Sequence, residues 1–219
     1  MNFQNTNNTT NIVLSVGDES GIGPEIILKA LCSNDLPENI DFTLVCSKKN
    51  LQDTFRNLRT LGVENLANPK NIKIHNLEIS SLSNKNRSYY GDSSFYYLTK
   101  AIELVKQYPY SALVTGPICK KSWSLAGHHF SGQTEVLAKM CGVKNVGMLF
   151  TAKSPITGWR FNTLLATTHI PLCEVPKRLN KKIIHSKLDL FKEFCTKYNK
   201  KPIIKVAGLN PHAGEEGIL

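Results

Sequence analysis

Residues 12–46, IVLSVGDESGIGPEIILKALCSNDLPENIDFTLVC, decide the fold. The stretch opens on a short apolar run (residues 12–16) and passes through the glycine-rich loop GDESGIG. Residues 24–32 then show helical spacing, and a second apolar run follows at 42–46. Buried strands read as short apolar runs and helices as longer segments with a period near 3.6. One strand, one helix and a second strand in that order describe a parallel crossover unit.

The alternation continues outward. Further strands are expected at 72–74, 112–114, 146–150, 162–167 and 203–207, and further helices at 49–61, 93–107, 133–141 and 181–198. Together these predict an α/β protein with a largely parallel sheet. Residues 146–167 are the exception: two strand runs joined by Ser-Pro and Thr-Gly turn signals, which predicts an antiparallel hairpin. After 203–207 the chain enters GLNPHAGEEGIL with no helix to close the sheet, so the C-terminal part of the fold is expected to be missing.

The bulk composition narrows the class. With 41% hydrophobic and 20% charged residues the chain is an ordinary globular one, not a disordered one. No apolar run approaches the roughly 20 residues that cross a bilayer. Residues 1–11, MNFQNTNNTTN, are polar and carry no positive charge, which predicts a frayed tail on a cytoplasmic protein rather than a signal peptide. The six cysteines show no CxxC spacing and read as reduced thiols. Cys119, in TGPICKK, is a candidate nucleophile with no obvious base beside it. The net charge of +10 comes from lysines spread thinly along the chain, without interleaved aromatics. That describes a solvated surface, with no nucleic-acid groove, and is compatible with a small anionic substrate.

In a parallel sheet the ligand-binding loops leave the carboxyl ends of the strands. Four have chemical content. Gly17–Glu25, containing Asp18, combines glycines with Pro24 at a helix start. It is either a plain tight turn or an anion-binding loop, and it matches neither GxGxxG nor a Walker loop. Residues 115–120, TGPICK, bring Lys120 to the sheet edge. Residues 132–135, GQTE, open a helix with amide, hydroxyl and backbone donors, and read either as an anion site or as simple capping by Ser131 or Thr134. Finally, TTHIPL and NPHAGE each place a histidine, His169 and His212, just past a strand. Two histidines at one sheet edge suggest a divalent metal, although a catalytic site takes three protein ligands. His75 and His185 fall in a strand-like run and a helix, which leaves His128 and His129 in reserve.

Taken together, GDESGIGPEIILKAL, TGPICKKSWSLAG, FSGQTEVLAKMCG, LLATTHIPL with VPKRL, and VAGLNPHAGEEG occur in an order that resembles the 4-hydroxythreonine-4-phosphate dehydrogenases, the PdxA family. The resemblance runs from residue 12 to the last residue and corresponds to the N-terminal two-thirds of such an enzyme. It implies an isocitrate/isopropylmalate dehydrogenase-like fold in two domains, a homodimer, and NAD without a Rossmann fingerprint. It also implies a divalent metal (zinc, magnesium or cobalt) and a small phosphorylated substrate that is oxidised and decarboxylated in pyridoxal 5'-phosphate biosynthesis. Carried onto this chain, His169 and His212 match two of the family's three metal histidines. Gln133 and Thr134 match its substrate-binding His-Thr pair, and Lys120 and Asp18 are further candidates for contact with an anion. Gln133 is a departure, since glutamine can donate to an anionic oxygen but cannot carry charge. The third metal histidine and the NAD contacts are expected beyond residue 219. Two alternatives stand beside this reading: a sister dehydrogenase of a phosphorylated four-carbon sugar acid, and an inactive remnant.

Overall fold

The computed structural model of the protein describes residues 10–79, 86–107, 111–199, 201–212 and 214–218. The chain divides into two compact units, Met1–Gly142 and Val143–Leu219.

The first unit is built on a parallel four-stranded sheet in the order β3-β2-β1-β4. Its strands are β1 (Thr10–Ser15), β2 (Ile40–Cys46), β3 (Lys73–Asn76) and β4 (Ser111–Thr115). Strand β1 pairs with β2 from Thr10↔Ile40 and with β4 from Asn11↔Ser111. The strand therefore starts two residues inside the stretch expected to be tail, because ladder bonds are made by the backbone and do not require apolar side chains. Residues 1–9 of that expected tail lie outside the described residues.

Helices α1 (Gly23–Ala30), α2 (Lys48–Thr60) and α3 (Arg87–Gln107) make the crossovers. The chain moves outward from β1 to β3 and then jumps back past β1 to β4. Right-handed crossovers accordingly put α1 and α2 on one face and α3 on the other. Between the layers Val13, Leu14, Leu28, Leu44, Val45, Leu51 and Tyr97 form a closed apolar core. Helix α3 begins six residues before the sequence predicts, since SYYGDS reads as polar. Within it Ser93 Oγ donates to the Tyr89 carbonyl (2.8 Å) and Ser94 Oγ to the Gly91 carbonyl (3.0 Å), which satisfies hydroxyls that would be costly to bury unpaired. Two short helices follow β4: α4 (Lys120–Leu125) and α5 (Gln133–Cys141). Trp123 of α4 is fully buried and its indole N–H donates to Ser94 Oγ at 2.8 Å.

The second unit contains the expected antiparallel hairpin, β5 (Leu149–Lys153) against β6 (Arg160–Leu164), in register from Leu149↔Leu164 to Lys153↔Arg160. Both strands are displaced by a few residues from the predicted runs. The turn is closed by Ser154 N–H to the Trp159 carbonyl (2.8 Å). After the single turn α6 (Val175–Arg178), helix α7 (Lys181–Thr196) is capped by Asn180, whose side chain accepts from the Ile183 N–H at 3.0 Å. One expectation fails here: residues 203–207 are not a strand. A strand exists only by pairing, and 203–207 pairs with no strand among the described residues, leaving Ile203 and Val206 89% and 64% exposed. Among the described residues no helix is long and apolar enough to cross a membrane.

Candidate functional site

The strand order of the first unit locates its crevice. Connections leave β1 in one direction and β4 in the other, so the carboxyl ends of these two neighbours form the topological switch point, where ligands of open α/β sheets bind. The loops after β1 and β4 meet there. Asp18 N–H donates to the Pro117 carbonyl (2.8 Å), and Gly116 N–H to the Ser15 carbonyl (2.7 Å). The approach is so close that a Cβ on Gly17 would stand 2.2 Å from the Pro117 oxygen, and one on Gly116 would stand 2.3 Å from the Val16 oxygen. Gly17 also has φ +76, a conformation that other residues adopt only at a cost.

The start of α5 reaches the same point. Gln133 Nε2 donates to the Gly116 carbonyl at 3.0 Å. The N-cap of α5 is Gly132, with no side-chain cap, so neither Ser131 nor Thr134 caps this helix and its first N–H groups are not engaged by a cap. Lys120, exposed at the start of α4, brings Nζ to 3.9 Å from where a Cβ on Gly132 would stand. Three of the expected residues, Lys120, Gln133 and Thr134, therefore share one corner. An ammonium group and an uncapped helix N-terminus favour an anion there, and the Glu135 carboxylate, with Oε2 3.3 Å from the same point, offsets part of that positive potential.

Asp18 is placed beside this corner but is turned to other work. It is 8% exposed, and Oδ1 accepts from both the backbone N–H (2.9 Å) and the hydroxyl (2.6 Å) of Ser20. These bonds make Asp18 a shaping residue of the loop after β1.

The neighbouring Glu19, which sequence reasoning missed, anchors the loop from the other side. Its carboxylate accepts from the Ser47 N–H (3.1 Å) and from the Asn50 side chain at the start of α2. Burial, reinforced by Glu19, raises the pKa of the Tyr97 hydroxyl and of the Cys46 thiol well above their ordinary values. No local motif announces this anchor, because its two ends belong to different crossover units.

Cys119 sits at the N-cap of α4, where a hydrogen bond from the Ser122 side chain, helped by backbone N–H groups, lowers its thiol pKa. His128, held in reserve as a metal ligand, is already occupied. Its Nε2 meets Asp92 Oδ1, and its ring lies flat on Phe95 with centroids 3.8 Å apart.

In the second unit His169 is exposed in the loop after β6, with φ +57, and His212 is exposed in the NPHAGE loop. His212 Nδ1 lies 3.0 Å from Glu215 Oε1. Because 203–207 is unpaired, His212 does not follow a strand of the β5-β6 sheet. Among the described residues no three His, Cys, Asp or Glu side chains gather closely enough to hold an ion. Two imidazoles fall short of the three protein ligands of a catalytic metal site, so the residues described do not make a complete one.

A parallel α/β fold whose β1 and β4 loops meet at the switch point places the chain among the open-sheet α/β proteins that bind ligands at that crevice. Comparison with known proteins makes this specific. Residues 38–219 match the family described as pyridoxal phosphate biosynthetic protein PdxA, and the chain belongs to that family. A relative in Synechococcus sp. (strain RCC307), named 4-hydroxythreonine-4-phosphate dehydrogenase, is 42% identical over 96% of this chain and 64% of its own length. One of the same name in Aquifex aeolicus (strain VF5) is 32% identical over 95% of this chain and 65% of its own length. The crystal structure of 4-hydroxythreonine-4-phosphate dehydrogenase from Klebsiella pneumoniae superposes with a TM-score of 0.76 at 27% identity, covering 95% of this chain and 66% of that one. The chain thus spans a little under two-thirds of the relatives it matches, and its fold is the isocitrate/isopropylmalate dehydrogenase-like one.

Proposed function

We propose that the protein acts in the NAD-dependent oxidation and decarboxylation of 4-phosphooxy-L-threonine to 3-amino-2-oxopropyl phosphate, a step of pyridoxal 5'-phosphate biosynthesis. In this reading the substrate's C3 hydride passes to NAD and its hydroxyl proton is released; the carboxylate then leaves as CO2, and C2, which keeps the electron pair of the broken bond as an enolate, takes up a proton. The observation that carries the proposal is the corner formed by the uncapped start of α5 and Lys120, in a chain 42% identical to a relative bearing that enzyme's name. There the Gln133-Thr134 helix start holds the anionic end of the substrate. His169 and His212 offer two imidazole donors toward a divalent ion such as zinc, magnesium or cobalt. The protein works in the cytoplasm as a homodimer.

Gln133, standing where the family carries histidine, favours a second reading, a sister enzyme acting on a phosphorylated four-carbon sugar acid. One experiment separates the two. NADH formation is followed with 4-phosphooxy-L-threonine or 4-phosphoerythronate, NAD and cobalt, in the natural protein and in Thr134→Val, His169→Ala and His212→Ala. The first reading expects turnover of the threonine phosphate. Thr134→Val should raise its KM about tenfold or more, the worth of one hydrogen bond to a charged group, with Tm unchanged. Each histidine variant should lose bound cobalt. Turnover of the erythronate alone, or unaltered cobalt content in His212→Ala, would overturn it.

A further inference from the structure

An amide at position 133 would be expected to offer its NH2 group to a ligand. In the structure that NH2 gives one of its two hydrogens to the Gly116 carbonyl at 3.0 Å. The other end, Oε1, is sealed from solvent with no hydrogen-bond partner among the described residues. Turning the amide over would set that oxygen against the Gly116 oxygen, two acceptors face to face, so the orientation is fixed. The Gly116 carbonyl therefore sets the orientation of the Gln133 amide and holds the side chain against the end of β4.

The carbonyl it grips is one of the least movable points in the unit. Gly116 is held by its own N–H on the Ser15 carbonyl and by the backbone of Val16, against which even a methyl group would collide. The helix it belongs to, on the other hand, lacks the side-chain cap that normally secures a first turn. We propose that Gln133 is a positioning residue: it ties the first turn of α5 to the end of β4 and acts on a bound anion through that tie. Direct contact is left to Thr134, to the N–H groups behind it and to Lys120. This refines the reading of the α5 start as the anion-binding corner, and it assigns the glutamine a role that needs no charge and no transferable proton.

The test is by NMR on the whole chain, with inorganic phosphate as the probe. The Gln133 side-chain NH2 signals are identified by their loss in Gln133→Met. If the residue is a tie, these signals stay in place on saturation with phosphate while the backbone amides of Thr134 and Glu135 shift. Movement of the Gln133 NH2 signals with the same Kd as the Thr134 amide would make it a direct contact and overturn the proposal. The tie is also read without any ligand. In Gln133→Met the amides of Leu137 and Ala138, which close the first turn of α5, should exchange with solvent roughly three- to tenfold faster, the worth of one net hydrogen bond. Unchanged exchange would overturn the proposal whether or not phosphate binds. Phosphate that shifts no α5 amide, alongside faster exchange in the variant, would sink the anion-binding reading while leaving the tie intact.

Discussion

Nε2 of His128 stands 2.7 Å from Oδ1 of Asp92, joining the loop after α4 to the outer turn of α3. The ring is held in that position by stacking on Phe95, which also meets Trp123 edge-on and stacks on Phe130. One imidazole thus rivets the strand of chain that leads into α5. Removing it in His128→Ala should lower stability by about 1–3 kcal/mol, combining a hydrogen bond with an aromatic contact. His128→Phe, which keeps the stacking alone, should recover about half of the loss. Cobalt binding should not change in either variant. A fall in bound cobalt with unaltered stability would identify His128 as a metal ligand instead.

The meeting of the β1 and β4 loops can be weighed against a control within the same chain. Gly17 and Gly62 have almost the same φ, +76 and +78, but a Cβ on Gly62 would meet nothing within 4 Å. Gly62→Ala should therefore show only the left-handed backbone cost, about 1–2 kcal/mol. Gly17→Ala should add a collision with the Pro117 carbonyl, for a total of about 2–5 kcal/mol. Urea unfolding of both variants measures the difference. Equal losses would mean that the two loops do not press together.

Alkaline pH should unfold the first unit through its buried acids. The Cys46 and Tyr97 pKa values are raised chiefly by burial and further by Glu19. A group whose folded pKa lies above its unfolded value holds its proton more tightly in the native state. Its contribution is complete below the unfolded pKa and is lost as the pH rises. The loss should begin near pH 9, where the Cys46 thiol ionises in the unfolded chain, and steepen near pH 10 with Tyr97. Each group should remove up to about 1.4 kcal/mol per pH unit. Stability measured from pH 7 to 11 should flatten on its alkaline side in Tyr97→Phe. An identical slope in that variant would show that the hydroxyl ionises as readily in the folded protein.

What could be read directly from the sequence was what local chemistry decides. The run 12–16 became β1 because apolar β-branched residues bounded by glycine have few alternatives, and GQTE became a helix start at Gln133 as its donors suggested. The hairpin was legible from its turn residues, although its register was not, because neither strand alternates cleanly enough to fix one. The failures come from pairing at a distance. Residues 203–207 carry the composition of a strand, but no composition supplies a partner. The bonds from Ser20 to Asp18 could not be read from the loop's composition, and Glu19 drew no notice because Asn50 and Ser47 are remote in sequence. Gln133 was legible as the first residue of α5, but the direction of its amide depends on where Gly116 lies, which only the folded sheet sets.

The β3-β2-β1-β4 order also has a consequence for how the protein is made. The central strand emerges first from the ribosome and finds β2 soon after, whereas its other neighbour arrives only with Ser111. Synthesis proceeds at about 5–20 residues per second. For an interval on the order of ten seconds each nascent chain therefore holds β1 with one edge bare, a ready template for pairing with another chain. The crevice does not exist during that interval, because half of its wall has not been translated. A chaperone that shields the bare edge of β1 until β4 arrives would raise the yield of folded protein without touching a residue of the finished site.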